Sequence, residues 1–365
     1  MTTHRERLQA CLAGDLPDRT PVALWRHFPG DDQSPETLAA AALHWQRQYD
    51  FDFLKVTPAS SFSVKDWGSD DAWEGHTEGT RRYVKRAITR PQEWTRLPEL
   101  DPTTAPHLAD QLACLRLIKQ GLAPSGIAPE TPLIQTVFSP LAQAKNLAGN
   151  DTLLAHLRLY PDAVMQGLET IARTTRRFVE AALDIGIDGI FYAVQHAQAT
   201  LLSLNEYQTF GLPFDQQVME PAKDSWLNVL HLHGKDVHFS LFSTLHSLFP
   251  IINWHDRETP PNLSDALKTR DVSETSRVLR AVCGGLRQDT LVFGDQAEVQ
   301  QEASDAIQQT GGRRFILSTG CVVPIIAPHG NILASRHCER SEAIPTYEEI
   351  ASSGRAPSSQ RQHKD

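Results

Sequence analysis

The chain is short of everything that would place it in a membrane, a disulfide scaffold or a nucleic-acid complex. No apolar run approaches the roughly 18 residues of a membrane span, and the N-terminus, Met1-Thr-Thr-His-Arg-Glu-Arg7, lacks the apolar core of a signal peptide. Five cysteines (Cys11, Cys114, Cys283, Cys321, Cys338) make an odd set without any C-x-x-C spacing, so neither a disulfide framework nor a zinc ribbon is indicated. With 35 basic against 44 acidic residues the formal charge is −9, and no basic block forms a nucleic-acid footprint. The expectation is a soluble cytoplasmic protein in a reducing compartment, acting on a small molecule, with no nucleotide cofactor implied.

What the chain does have is His231-Leu-His-Gly234, closing the strand-like run Trp226-Leu-Asn-Val-Leu-His-Leu232. Side chains two apart on a strand share a face, so both imidazoles point the same way. Two neutral imidazoles aimed at one point make half of a metal site. Cys321, following the run Phe315-Ile-Leu-Ser-Thr-Gly320, offers a thiol for the other half. Histidines at a strand end also occur as plain hydrogen-bonded polar residues, and a lone cysteine as a small buried hydrophobe. The fold has to bring the two ends together for the metal reading to hold.

Strand-like runs recur at Val22–Arg26, Asp52–Pro58, Leu133–Phe138, Gly189–Val194, Trp226–Leu232, Pro250–Trp254, Arg280–Gly285 and Phe315–Ser318. Helical patterns separate most of them: one from Ser34-Pro35 to about Tyr49, others at 107–120, 141–158, 162–184, near 204–222 and at 296–309. Eight strands alternating with helices predict an α/β fold, a single (β/α)8 barrel. Residues 60 to 100, rich in Trp, Asp, Gly and charge, break the rhythm and read as an inserted hairpin or lid after the second strand. Chemistry in such a barrel sits at the C-terminal ends of the strands. There the sequence collects Arg26 and His27, His196, His231 and His233, His255 and Asp256, Arg287 and Gln288, and Cys321.

At Gly284-Gly-Leu-Arg-Gln288, Thr310-Gly-Gly-Arg-Arg-Phe-Ile-Leu-Ser-Thr-Gly-Cys321 and Ala327-Pro-His-Gly-Asn-Ile332 the chain resembles the uroporphyrinogen decarboxylase superfamily over residues 4 to 333. The resemblance implies a (β/α)8 barrel and either of two chemistries. Decarboxylases of this family carry an Arg-Gln-Ala-Gly-Arg motif after the first strand. Here the match is Arg26-His-Phe-Pro-Gly30, with glycine for the second arginine. Their essential aspartate falls near Ala59-Ser60, their tyrosine near Lys145, and their final histidine is replaced by Cys321. The methyltransferase branch binds zinc through His-x-Cys and a cysteine after the last strand, matched by His231-x-His233 and Cys321.

The resemblance therefore implies a zinc-dependent methyltransferase, moving a methyl group to or from a thiol or a corrinoid, with His231, His233 and Cys321 as ligands and a corrinoid protein as a possible partner. Arg26, Lys55, Lys145, Arg287 and Gln288 would bind substrate, and His196, His255 and Arg26 would serve catalysis. Asp256 would orient His255 or cap the next segment. A decarboxylase of porphyrinogen carboxylates and a non-catalytic barrel are the alternatives. The barrel is expected over residues 1–334. Residues 335–365 resemble a translated repetitive element rather than the family's closing helix, and the composition beyond Ile350 predicts disorder.

Uroporphyrinogen should turn over poorly or not at all, because Gly30 and Ala59-Ser60 lack the fixed cation and acid of the decarboxylase motif, and preorganised charge is what makes such groups effective. Robust formation of coproporphyrinogen by the purified protein would reverse that reading.

Overall fold

Parallel pairing of seven strands organises the computed structural model, which describes residues 2–122, 131–245, 248–268 and 281–336. Helix α1 (His4–Ala13) opens on a reciprocal cap between Thr3 and Glu6, and α2 (Pro35–Tyr49) on the Ser34 hydroxyl with proline at its first position. Strand β1 (Leu54–Val56) is followed by an antiparallel hairpin, β2 (Asp70–Ala72) and β3 (Arg82–Lys85). Then come α3 (Pro106–Leu122), β4 (Leu133–Phe138), α4 (Pro140–Ala148), α5 (Asn150–Leu159), α6 (Pro161–Asp184) and β5 (Gly189–Val194). The second half runs α7 (Leu204–Phe210), α8 (Leu212–Met219), β6 (Val229–Leu232), β7 (Ile251–Trp254), α9 (Leu263–Lys268), β8 (Ala281–Leu286), α10 (Gln288–Phe293), α11 (Gln296–Thr310), β9 (Phe315–Thr319) and α12 (His329–Ala334).

The order β1-β4-β5-β6-β7-β8-β9, every pair parallel, is that of a sheet curling in chain order with helices outside. Because both faces are covered, the strands are buried along their whole length and read as near-continuous apolar runs. Helix α6 shows the complementary pattern, burying Val164, Leu168, Ile171, Phe178 and Ala182 along one stripe.

The expected first strand, Val22–Arg26, is not a strand but a single bridge between Val22 and Leu317. Leu317 N–H donates to Pro21 O and Ala23 N–H to Leu317 O, while on the other side Asp52 N–H donates to Val22 O. Val22 N–H itself goes to the Asp52 carboxylate at 2.7 Å. A side chain thus takes the bond that a strand ladder would have used, and these residues join the two edges of the sheet without becoming a strand. The expected strand from Trp226 begins only at Val229, because the Asn228 side chain accepts from Ile190 N–H and donates to Ala222 O, tying that residue to its neighbours by side chain. The helix expected over 204–222 is cut at Gly211 by Pro213, which has no N–H to continue it. Gly149 likewise divides the expected 141–158 helix into α4 and α5.

The hairpin expected in residues 60 to 100 is present, and its turn packs over the C-terminal ends of the strands. Ile325 N–H donates to Thr77 O. At Gly79 (φ +77) a Cβ would lie 2.6 Å from that of His27, so only glycine permits this approach. The expected tail from 335 lies outside the described residues except for Ser335 and Arg336.

At the opposite end, Asp52 gathers His4, Arg7 and Arg19 at 2.7–3.0 Å besides Val22 N–H, with its side chain wholly buried. Against the cost of burial, the hydrogen bonds from His4 and Arg19 hold its carboxyl below the ordinary range. That stabilisation is complete above the unfolded value near 4 and is lost as pH falls through the depressed one. Asp52→Ala strands buried cations and should cost about 3 kcal/mol or more in urea unfolding, whereas a change under about 1 kcal/mol would show the cluster to be dispensable.

Candidate metal centre

Three ligand-type side chains converge where β6 and β9 end. His231 and His233 leave β6 on the same face, as the two-residue strand period requires. Cys321 arrives from the turn after β9, and Gly320 makes its position possible: a Cβ there would lie 2.7 Å from the His255 Cα. The Cys321 Sγ is 3.8 Å from His231 Nε2 and 3.6 Å from His233 Nδ1, and one ligand atom from each of the three lies within 4.8 Å of the others. For a tetrahedral ion with bonds of about 2.3 Å to sulfur and 2.0–2.1 Å to nitrogen, the sulfur–nitrogen separation is about 3.6 Å. The donor set and its spacing therefore fit a metal ion with an open fourth position.

The ring of His231 is held by a residue the sequence reading passed over. Asn253, its register partner on β7, donates both amide hydrogens to carbonyls, Cys283 O at 2.8 Å and Thr319 O at 3.0 Å. Its Oδ1 is left as acceptor, 2.7 Å from His231 Nδ1. That bond places the proton on Nδ1 and turns the Nε2 lone pair toward Cys321. Phe191 stacks on the same ring at 5.2 Å.

Burial sets the protonation states. It holds His231 well below the ordinary imidazole value, with the neighbouring His233 and His255 adding to the effect, and His233 at about 4. It pushes the Cys321 thiol up to about 12. Without a metal, both imidazoles are neutral at pH 7, ready to donate lone pairs, and the thiol keeps its proton.

A cavity of about 410 Å³ opens beside these groups, lined by His231, His233 and Cys321 together with Trp25, Lys55, Thr57, Phe138, Lys145 and Phe191. The hairpin side closes it with Glu78, Arg81, Arg82, Tyr83 and Arg86. Lys55 and Lys145, expected to bind substrate, are both there. Lys55 Nζ lies 4.4 Å from the Phe191 ring centre and donates to Thr57 Oγ1, and Lys145 Nζ donates to Gln195 Oε1.

Other expected site residues are placed elsewhere. Arg26 stacks on Phe28 and Trp45 and reaches Ile325 O rather than lining the cavity. Arg287 turns to Glu302 at 3.7 Å. Gln288 touches the site indirectly, donating to Glu78 Oε1 and Val322 O. His196 is buried against Asn150 behind the cavity wall, and burial holds it at about 3. His255 lies beside the centre, its ring 5.3 Å from that of His233, with Nε2 buried and without a hydrogen-bond partner among the described residues. Asp256 does not orient it: that carboxylate accepts from Gly285 N–H, while His255 Nδ1 faces Glu258 at 3.7 Å. The hairpin residues had a signal in the sequence, the run Arg81-Arg-Tyr-Val-Lys-Arg86, but nothing there indicated which of its charges turn inward.

A family model for uroporphyrinogen decarboxylase (URO-D) matches residues 3–338. The chain belongs to the uroporphyrinogen decarboxylase family. Among solved structures, a methyltransferase from Methanosarcina mazei superposes with a TM-score of 0.78 at 18% identity, covering 94% of this chain and 99% of that one. A B12-independent methionine synthase from Shewanella sp. W3-18-1, in complex with selenomethionine, superposes at 0.52 with 13% identity, covering 93% and 98%. At such identities these likenesses speak for the fold. No curated protein matches the chain significantly. Among the described residues no helix is long and apolar enough to cross a membrane.

Asn253→Ala should weaken binding of cobalt(II), followed by its visible absorption, by about 10- to 100-fold, because His231 loses the partner that fixes its tautomer. Unchanged affinity in a folded variant would show that the ring needs no such support.

Proposed function

We propose that this protein is a zinc-dependent methyltransferase acting on a thiol, with His231, His233 and Cys321 as the zinc ligands. The observation that carries the reading is the 3.6–3.8 Å spacing of the Cys321 sulfur from two imidazole nitrogens at the floor of a cavity. One thiolate and two imidazoles are a competent zinc set. A bound zinc ion supplies Lewis acidity that keeps an acceptor thiol deprotonated at neutral pH.

The chain's own residues do the rest. Asn253 holds His231 in the donating tautomer, and Phe191 and Trp25 wall off water. His255 accepts the proton that the acceptor thiol gives up: burial lowers its affinity for protons, so it is a free base at neutral pH, and its Nε2 has no hydrogen-bond partner among the described residues. Lys55 and Lys145 hold the acceptor's anionic part. A corrinoid protein presenting the methyl group at the mouth fits the same reading. The decarboxylase alternative meets the replacement of its second arginine by Gly30.

Purified protein should hold about one zinc by elemental analysis, and His233→Ala or Cys321→Ser should lower that occupancy. Because the thiol is pushed to about 12 while His233 sits at about 4, binding at pH 7 should release about one proton, so that affinity rises about tenfold per pH unit between pH 6 and 8. Protein that stays metal-free after incubation with zinc, all three side chains intact, would end the proposal.

A further inference from the structure

The cavity carries more positive charge than its own residues neutralise. Five cations line it, and two are spent: Arg81 pairs with Asp32 and Asp71, and Arg82 with Glu74. Lys55, Lys145 and Arg86 are within ion-pair distance of no carboxylate among the described residues. Lys55, buried between Trp25 and Phe191, has only the Thr57 hydroxyl. Lys145 has the Gln195 amide. Arg86 lies over the Tyr83 ring at 4.2 Å and donates to Lys145 O and Asn146 O, which brings its charge next to that of Lys145. Glu78 is the one carboxylate on the described wall, already accepting from Gln288. With all three protonated, as an anionic ligand would hold them, these cations against Glu78 leave a charge of about two to be matched.

The zinc centre does not match it. A divalent ion with one cysteine thiolate keeps a charge of one, and an acceptor thiolate brings that centre only to neutrality. Holding buried cations without counter-ions is costly, and burial pulls Lys55 to about 7 and Lys145 to about 8. An enzyme tolerates such a cost where a ligand removes it.

We propose that the cavity is built for a thiol acceptor bearing two further negative charges, a dicarboxylate or a phosphonate, held by Lys55, Lys145 and Arg86 with its sulfur toward Cys321 and the two histidines. This rests on the thiol reading above for the sulfur, and on the three cations alone for the charges. The neutral, apolar share of the wall, Trp25, Phe138 and Phe191, fits the carbon skeleton between them.

The test is calorimetric titration of the zinc-loaded full chain, at one low salt concentration, with mercaptoethanol, mercaptopropionate, mercaptosuccinate and mercaptoethylphosphonate, and of the metal-free chain with succinate. Affinity should rise with charge, each added anionic contact being worth about tenfold. The better of the two dianions identifies the acid. Lys145→Gln and Arg86→Gln should each weaken that dianion about tenfold and leave mercaptoethanol unchanged. Lys55→Met should weaken it too while raising the melting temperature, since a buried unpaired charge is replaced by an apolar chain of similar length. Equal affinity for neutral and dianionic thiols, or a Lys55→Met variant that is less stable and binds the dianion as before, overturns the proposal. Succinate binding to the metal-free chain with no added affinity from a thiol on the zinc-loaded one would sink the zinc reading and leave the anion site standing.

Discussion

The amide of Asn253 is the point on which the candidate metal centre depends. From the middle of β7 it bonds a carbonyl of β8, a carbonyl of β9 and the imidazole of His231 on β6, so one side chain spans four consecutive strands. All of it is buried, and a buried amide that left any of these groups unpaired would cost about 1–3 kcal/mol for each. The curvature of the sheet, the separation of β6 from β9 and the tautomer of the ligand are thereby made one condition. Cys321 meets the histidines because the strands carrying them are held at that spacing.

The two ends of the barrel divide the electrostatic work. At the N-terminal end, cations and carboxylates are matched: Asp18, Asp50 and Asp52 take His4, Arg7 and Arg19, and the bond from Val22 to Asp52 replaces a strand ladder. At the C-terminal end they are left unmatched, with Lys55, Lys145 and Arg86 facing a cavity whose described wall offers Glu78 alone. The matched end stabilises the fold. The unmatched end spends some of that stability to prepare a site, as binding sites do when their charges are completed only by the ligand.

Much of the architecture was legible because a parallel sheet covered on both faces writes itself as apolar runs, and seven of eight expected runs are strands. The eighth, Val22–Arg26, has the right composition and fails for a reason invisible locally: its N–H is claimed by a carboxylate thirty residues on. The convergence of His231, His233 and Cys321 followed from strand period and barrel topology together, while Arg26 and Arg287 satisfied the same end-of-strand rule and turned elsewhere, one to aromatic rings and the other to Glu302. Position at a strand end sets where a backbone arrives. Side-chain direction is decided by partners distant in sequence.

Asn253 could have been found. A polar residue inside Ile251-Ile-Asn-Trp254 has to pair with something, since every neighbour in the run is buried, and the strand next to it in chain order ends in histidines. The hairpin is a harder case. Its run of basic residues alternates across an exposed two-stranded ribbon, so the period assigns Arg82 and Val84 to one face, but the inward turn of Arg86 depends on carbonyls of Lys145 and Asn146 contributed by α4. The same bond that aims Arg86 also places it beside Lys145, against simple charge repulsion. Two cations held together by backbone carbonyls, with no acid between them among the described residues, are an arrangement whose energy improves when an anion arrives.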